Sequence, residues 1–241
     1  MKKISHMPLP YDYQYWLASM LLDRLNTADG ELADFLHSHT GYKYYTFSWL
    51  LSDDLKTTDS GLQFDKGYFY LTSPDKKFIQ GFASGLLQEP KFNLGHTEFI
   101  VESIEILDGK EIRSEVTFKT LSPIYTKTKR EKKGEWDLLP LKDMKWHENI
   151  HNNLLNRYIE YYGEEPERDD FEITKFYGQP EYKRVSIKKR ENSEEKEYYK
   201  RCARIKFDVE GNPEMLKFGY DAGFGQGNAM GFGCVGVVDD A

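Results

Sequence analysis

A glycine-rich segment near the C-terminus, residues 223–233, limits what this chain can fold into. It contains five glycines in eleven residues, and each of its two phenylalanines, Phe224 and Phe232, lies between two glycines. Because glycine has no Cβ atom, such a segment can adopt positive φ angles and allows another backbone to approach closely. Its successive N–H groups can also surround an anion. The segment predicts a tight loop, and the valine-rich stretch 234–238 predicts a β-strand after it.

This loop does not match the common nucleotide-binding patterns. No Lys-Ser or Lys-Thr pair follows its last glycine, as a P-loop requires. A strand pattern follows it, whereas a dinucleotide fingerprint requires a helix. From spacing alone, a β-hairpin with glycines at its tight turn is an equal alternative.

Composition and charge restrict the class of protein. At 241 residues the chain has room for one large domain or two small ones. It has no apolar run near the roughly 20 residues that span a bilayer, and its first eight residues lack the apolar stretch of a signal peptide. We therefore expect a cytoplasmic protein without membrane contact. Its two cysteines, Cys202 and Cys234, match no metal or redox spacing, and we expect both to be reduced.

The net charge of −7 counts against a protein that binds nucleic acid over its whole surface. The charge is unevenly distributed along the chain, so a local basic groove on an acidic body is compatible with it. The aromatic content of 15 % suits base stacking and a β-rich core equally.

The first half of the chain has the element pattern of a ferredoxin-like unit. Apolar residues recur at a helical period over 11–26, and a first strand has only residues 3–7 available to it. The remaining predicted elements are a short helix at 31–37, β-rich runs at 42–51 and 67–72, a helix at 74–87 and a strand at 99–107.

The second half repeats this pattern after a turn at residues 108–110. Its predicted elements are strands at 115–120, 171–189, 198–209 and 234–238, and helices at 142–162 and 213–218. We therefore predict an α+β fold of two tandem ferredoxin-like domains, residues 1–110 and 111–241, with antiparallel sheets and helices on one face.

The glycine-rich segment, preceded by LKFGYDA, resembles the C-terminal signature of the CRISPR-associated endoribonucleases that cut repeat RNA into guide RNAs. Two Gly-Phe-Gly triplets with Asn228 between them carry the resemblance. YDYQYWLASML, LADFLH with GYKYYTFS, and VTFKTLSPIYT follow the family's order. The family belongs to the repeat-associated superfamily of ferredoxin-like proteins. The resemblance implies cleavage of CRISPR repeat RNA without a metal or cofactor, by 2′-OH attack that leaves a 2′,3′-cyclic phosphate and a 5′-OH.

The resemblance also implies catalytic residues. In the family motif, a histidine follows a leucine and lies about six residues before a lysine and an aromatic-Thr-aromatic-Ser strand. Here Leu36-His37, Lys43 and residues 45–48 fill those positions. His37 is thus the predicted general acid or base and Lys43 the phosphate contact, with His39 as the alternative histidine. Without the resemblance, a histidine at a loop edge is commonly a solvated surface residue.

One position departs from the family pattern. Some relatives have a tyrosine on the first helix that completes a His, Tyr and Lys trio, and the matching residue here is Leu22. Either His39 or Tyr42 takes over that role, or the enzyme is slow and depends on RNA positioning. A third alternative is a non-catalytic repeat-RNA-binding subunit of a CRISPR effector complex. Many relatives pair, so a homodimer is a further expectation.

For RNA binding, we expect backbone N–H groups of the glycine-rich segment to contact phosphates. The residues predicted to form this contact surface are Gly223, Phe224, Gly225, Gly227, Asn228, Gly231, Phe232 and Gly233. Phe224 and Phe232 either stack on bases or pack inward. The basic run of Lys127, Lys129 and Arg130 is predicted to contact phosphates, with a solvated charged hairpin as the alternative.

His147 and His151 favour a different class of protein, because the stretch that contains them reads H-E-x-x-H. On a helix this spacing puts both rings on one face to bind zinc. The predicted helix lies inside the second ferredoxin-like unit, and no further histidine follows at metzincin spacing. We therefore expect no metal site here.

Overall fold

The computed structural model describes residues 1–38, 41–130, 134–191 and 194–238. The elements of the N-terminal half are β1 (Lys2–Lys3), α1 (Gln14–Ala28), α2 (Gly30–Ser38), β2 (Thr46–Phe47), β3 (Lys56–Thr58), β4 (Gly61–Gln63), β5 (Leu71–Thr72), α3 (Lys76–Gln88), β6 (Lys91–Leu94) and β7 (Thr97–Ile100). Those of the C-terminal half are β8 (Glu115–Thr120), β9 (Thr126–Arg130), β10 (Gly134–Leu138), α4 (Lys145–Tyr162), β11 (Phe171–Phe176), β12 (Glu181–Glu191), β13 (Glu194–Arg204), β14 (Lys206–Gly211), α5 (Pro213–Ala222), a 3₁₀ turn (Asn228–Met230) and β15 (Val235–Val237).

Helix α1 is the central element of the N-terminal half. Its apolar residues Leu17, Leu21 and Leu25 recur every four positions and are fully buried in one core. Helix α3 packs directly against α1, because Gly85 has no side chain at the point of contact. A Cβ atom at Gly85 would lie 1.7 Å from the carbonyl oxygen of Arg24. This close contact fixes the position of α1 relative to α3.

The strands of the N-terminal half are shorter than predicted. β1 has two residues and pairs with β7, which also pairs with β6. The β-rich runs contain only the pair of β2 and β5 together with isolated bridges. The predicted strand at 99–107 is wrong beyond Ile100, since residues 101–114 have no regular structure. The predicted domain boundary falls within this stretch.

The C-terminal half contains a four-stranded antiparallel sheet in the order β11-β14-β8-β15. With α4 and α5 as connections, these strands form a β-α-β-β-α-β unit, the ferredoxin-like arrangement. Both helices pack on the sheet through one core, in which Trp146, Leu154 and Phe218 face Phe118 and Phe207. The predicted α+β fold with tandem ferredoxin-like halves is therefore confirmed.

Two hairpins extend this unit. β9 pairs with β10 between β8 and α4, and β12 pairs with β13 between β11 and β14. The strands predicted at 171–189 and 198–209 are thus each divided in two. The first divides near Gly178, whose φ of 77° breaks the strand, and the second divides at Ile205. As a result, the β12–β13 hairpin leaves the sheet and lies against the N-terminal half.

Candidate active site

A cavity of about 540 Å³ lies between α1, α2, the approach to β2 and the glycine-rich segment. Residues from both halves of the chain line this cavity, and the predicted catalytic residues His37 and Lys43 are among them. Its lining residues are Tyr15, Ala18, Ser19, Leu22, Asp23, Asn26, Ala33, Asp34, His37, Lys43, Tyr45, Ala229 and Met230.

The structure brings His37 and Lys43 to this one cavity. His37 lies in the last turn of α2 and is exposed, so its imidazole is accessible to a bound molecule. Lys43 is half-buried, and burial lowers the pKa of its ammonium group. The predicted pair therefore shares a wall, although the catalytic role of each residue stays a prediction. His39 lies outside the described residues.

One face of α1 forms the opposite wall. Tyr15, Ser19, Leu22 and Asn26 are spaced four, three and four residues apart, which puts them on one helical face. Leu22 therefore lies at the predicted position in the site and supplies no hydroxyl group. Tyr15 brings a phenol to the same cavity two turns earlier, with 37 % of its surface exposed.

Tyr15 was not predicted from the sequence. The helical period could have indicated it, because Tyr15 lies seven residues, or two turns, before Leu22 on the same face of α1. The residues that line the cavity do not include Tyr42, the other tyrosine considered for this role. Tyr42 instead interacts electrostatically with Arg157. Its effect raises the pKa of Arg157, whereas burial lowers it.

The glycine-rich segment connects the two halves of the molecule. All five of its glycines have φ between 74° and 86°, a region that favours glycine. A Cβ atom at Gly231 would lie 2.5 Å from the ring of Phe47, and one at Gly223 would lie 2.9 Å from the Cβ atom of Thr46. Thr46 also donates from Oγ1 to the carbonyl oxygen of Phe232 at 2.8 Å. The segment therefore docks on β2 and holds Ala229 and Met230 at the cavity wall.

Most backbone N–H groups of this segment have internal partners. Phe224 donates to the carbonyl oxygen of Gly233 at 2.9 Å, and Gly233 donates to that of Pro123 at 2.8 Å. The N–H groups of Gly223, Gln226, Met230 and Gly231 also donate within the protein. The prediction that Gly223, Phe224, Gly231 and Gly233 present N–H groups to RNA is therefore wrong in this conformation.

The remaining predicted contacts of this segment are largely buried too. Gly227 is the exposed member of the eight, whereas Gly225 is buried. Asn228 is buried and donates from Nδ2 to the carbonyl oxygens of Phe224 and Phe232 at 3.3 and 3.0 Å. The two phenylalanine rings are at most 2 % exposed, so they pack inward and do not stack on bases.

The side chain of Arg157 binds backbone carbonyl groups at the start of this segment. It is buried, and its guanidinium donates to the carbonyl oxygens of Ala222 at 2.6 Å and Gly223 at 2.7 Å. These carbonyl groups end α5, where the helix dipole favours a cation. Burial lowers the pKa of Arg157 to about 10, and nearby Tyr42 and Tyr44 oppose this shift.

The predicted basic contacts lie on strand β9, beside the glycine-rich segment. Lys127 forms an ion pair with Glu135 across the hairpin, and its backbone N–H donates to Oε1 of Gln226 at 3.0 Å. Lys129 is exposed, and Arg130 is the last residue of the strand. The structure thus puts the basic strand next to the segment but leaves phosphate contact by these residues a prediction.

The histidines of the H-E-x-x-H stretch face β11 from helix α4. The His147 ring lies 5.7 Å from the ring of Phe176, and burial lowers the pKa of His147. His151 stacks on Phe171 at 5.7 Å, and its Nε2 lies 2.5 Å from the carbonyl oxygen of Asp169. Within the described ranges, no group of three or more His, Cys, Asp or Glu side chains could hold a metal ion.

Cys202 and Cys234 are free cysteines, and both are buried. Burial raises the pKa of each thiol to about 12. Among the described residues, none of the helices is both long and apolar enough for a membrane span.

Comparisons with known proteins agree along almost the entire chain. Residues 8–105 match the family described as CRISPR-associated protein Cas6, N-terminal, and residues 107–237 match CRISPR associated protein Cas6, C-terminal. The CRISPR-associated endoribonuclease Cas6 1 of Methanocaldococcus jannaschii is 37 % identical over 238 residues, which cover 96 % of this chain and 88 % of that protein.

Solved structures give the same result. A structure described as that of a Cas6-related gene from Pyrococcus furiosus has a TM-score of 0.85 and 30 % identity, covering 100 % of this chain and 96 % of that one. A structure described as an RAMP protein binding different RNA substrates has a TM-score of 0.84 and 30 % identity, covering 99 % and 97 %. The resemblance seen in the glycine-rich signature is confirmed: this chain belongs to the CRISPR-associated Cas6 family.

Proposed function

We propose that this protein cuts CRISPR repeat RNA within precursor transcripts by metal-independent attack of a 2′-OH, giving guide RNAs. As a Cas6 family member the chain is an RNA endonuclease, and the proposal concerns its substrate, mechanism and residues. The observation that carries the mechanism is a single cavity lined by an imidazole, an ammonium group and a phenol. These belong to His37, Lys43 and Tyr15.

In the first step, His37 acts as the general base. Its imidazole takes the proton of the 2′-OH while the 2′-oxygen bonds to the adjacent phosphorus. Negative charge then develops on the non-bridging oxygens, and the ammonium group of Lys43 stabilises it. The partial burial of Lys43 strengthens this interaction, since the local dielectric is lower than that of water.

The same step breaks the bond between phosphorus and the 5′-oxygen. We assign the proton donor for this leaving group to Tyr15, which takes the role that Leu22 cannot fill. The products are a 2′,3′-cyclic phosphate and a 5′-OH. Tyr15 then regains a proton from solvent, and His37 returns its extra proton to solvent.

Single-turnover cleavage of the host's CRISPR repeat RNA in EDTA tests this proposal. We expect wild type to cut at one position, His37→Ala to lose cleavage by about 10²-fold or more, and Tyr15→Phe to be similarly slow. His96→Ala is the matched control, because His96 is exposed on the β6–β7 turn and does not line the cavity.

Two outcomes would contradict the proposal. Cleavage that needs a divalent metal would exclude the metal-independent mechanism. An unchanged rate in His37→Ala would move the site, and testing His39→Ala would then follow. Product ends that lack the cyclic phosphate would exclude 2′-OH attack.

Leu22 favours a second candidate function, a non-catalytic subunit that holds repeat RNA for a CRISPR effector complex. Tight binding of repeat RNA with no product under single-turnover conditions would select it. In that case the cavity would bind a phosphate without cutting. Light scattering on the protein with and without RNA would measure whether two copies pair.

A further inference from the structure

A second cleft, of about 170 Å³, lies on the other side of the start of α1. It separates the N-terminal half from the β12–β13 hairpin. Its lining residues are Tyr11, Asp12, Gln14, Trp49, Lys183, Arg184, Val185, Ser186 and Tyr199. None of these lines the candidate active site. Gln14 and Tyr15 are neighbours on α1, so their side chains leave the helix about 100° apart and reach different sites.

Two residues that line this cleft each have a polar atom that is closed to solvent and has no partner among the described residues. The Gln14 side chain is buried, with the residue only 5 % exposed, and its Oε1 accepts no hydrogen bond within the described part of the chain. The indole Nε1 of Trp49 is likewise buried and donates to no described residue. Buried polar groups are normally paired, and those left unpaired deserve an explanation. Here one acceptor and one donor belong to residues that line the same small cleft.

The rim of the cleft combines aromatic rings with cations. The guanidinium of Arg184 lies 3.9 Å from the ring centroid of Tyr199, which is 46 % exposed. Behind the cleft, the guanidinium of Arg204 lies 5.7 Å from the indole of Trp49. Lys183 adds a further positive charge, shared with Glu181 at 2.5 Å. Flat rings with neighbouring cations are the surface on which single-stranded nucleic acids stack and neutralise their phosphates.

We propose that this cleft is a subsite that holds one unpaired nucleotide of the repeat RNA and reads its base. With the side chains of Gln14 and Trp49 turned toward the cleft, the base would donate to Oε1 of Gln14 and accept from Nε1 of Trp49, because the polar edge of each RNA base offers both kinds of group. Tyr199 and Arg184 would cover the base or its sugar, and Lys183 would approach the phosphate. The proposal rests on the proposed function for the identity of the ligand, and it assigns two specificity-determining residues outside the catalytic cavity.

Equilibrium binding with a panel of repeat RNAs tests this subsite. Each RNA has one base replaced or removed, and a 2′-deoxynucleotide at the mapped cut site prevents cleavage; the unmodified RNA serves if no cut occurs. For wild type we expect one unpaired position at which a base change weakens binding by about tenfold or more. Gln14→Leu and Trp49→Phe should weaken binding to the native repeat and abolish the base dependence at that position.

Two matched variants control for stability. Gln80→Leu changes an exposed glutamine on α3, far from the lining of the cleft. Trp146→Phe removes another indole N–H without a described partner, but from the core of the C-terminal half. Both should keep the wild-type base profile, and thermal melting confirms that all four variants fold.

The outcomes separate this inference from the proposed function. If wild type binds and cuts repeat RNA but Gln14→Leu and Trp49→Phe keep its base profile, the subsite is wrong and the enzyme assignment stands. If the two variants lose affinity equally for every RNA in the panel, the cleft does not read a base. If wild type binds no repeat RNA, the proposed function fails and the subsite fails with it.

Discussion

Leu22 occupies the position at which some family members have a tyrosine, and it supplies no hydroxyl group to the cavity. It shares a helical face with Tyr15, about 10 Å further along the axis of α1. If Tyr15 is the proton donor, a phenol introduced at the family position should replace it. We expect Leu22→Tyr to restore cleavage to Tyr15→Phe by up to about 10²-fold, as measured by single-turnover rates. Leu22→Phe fills the same space without a hydroxyl group and should restore nothing; equal rescue by both would exclude proton donation.

Arg157 is a buried cation whose partners are backbone carbonyl groups. Arg157→Met would leave the carbonyl oxygens of Ala222 and Gly223 buried without their donor. We expect the free energy of unfolding, measured in urea, to fall by about 1–3 kcal/mol. Arg157→Lys should recover only part of the loss, because an ammonium group cannot reproduce the fork of a guanidinium. Arg168→Met, at a largely exposed side chain, should change stability by less than about 1 kcal/mol, and an equal loss there would contradict this account.

At this scale the sequence predicted those site residues that a motif identifies by their spacing along the chain. His37 and Lys43 were found because a motif fixes their spacing, and they do share a cavity. For Phe224 and Phe232 the sequence permitted two alternatives, stacking on bases or packing inward, because a glycine on each side allows either direction. In the structure both rings are buried. Tyr15 did not follow from the motif, because the family position on α1 corresponds to Leu22, two helical turns further along the same face.

The glycine-rich segment is the element whose backbone geometry depends most on missing side chains. Gly231→Ala would bring a Cβ atom to 2.5 Å from the ring of Phe47 at a φ of 79°. Because the Phe47 ring is buried, either the ring or the segment would have to shift, and a shift of the segment would displace Met230 from the cavity wall. We expect a loss of stability of about 1–3 kcal/mol together with slower cleavage.

Gly163→Ala is the control for this prediction. Gly163 ends α4 with nearly the same φ, 77°, but a Cβ atom there would meet nothing within 4 Å. It therefore shares the backbone strain and lacks the steric clash. Equal effects of Gly163→Ala and Gly231→Ala on cleavage would show that docking of the segment on β2 does not support the site.

Elements with a capping residue were predicted best. The predicted helix over 142–162 and α4 both end at Tyr162, before Gly163, and α5 begins at the predicted residue, Pro213, after Asn212. The end of α5 was not predicted, because the helix continues to Ala222, four residues beyond 218. The division of the long strands was missed, because residues on both sides of Gly178 continue to favour strand. The pairing of the strands decides where the break falls: β11 pairs with β14 in the central sheet, whereas β12 pairs with β13 in a separate hairpin. Such partners are distant in sequence, and periodicity does not encode them.

At the scale of the whole molecule, the candidate active site and the second cleft both lie where the two halves meet. The candidate active site combines α1 and α2 with Met230, and the second cleft combines Gln14 with the β12–β13 hairpin. The tandem fold could be predicted from element order, since each half repeats one pattern. Which surfaces meet could not, because contacts such as that of Thr46 with Phe232 join residues 186 positions apart.

The buried titratable groups set the alkaline limit of this assembly. Burial raises the pKa of several phenols and thiols in both halves, namely Tyr13, Tyr45, Tyr125, Cys202 and Cys234. In the unfolded chain these groups ionise near their ordinary values, about 8.5 for cysteine and 10 for tyrosine. The unfolded state then binds fewer protons than the native state, so their contribution to stability, complete at pH 7, is lost as the pH rises above about 9.

Arg157 acts in the opposite direction, because its pKa is lowered to about 10 and its native form gives up a proton first. Lys3 and Lys43, whose pKa values burial also lowers, share this sign, but the phenols and thiols with raised pKa values outnumber these three groups. We therefore expect the urea midpoint of unfolding to fall between pH 9 and pH 11, with tyrosine absorbance at 295 nm rising in the same transition. A midpoint that stays constant or increases over this range would mean that these groups ionise within the native state.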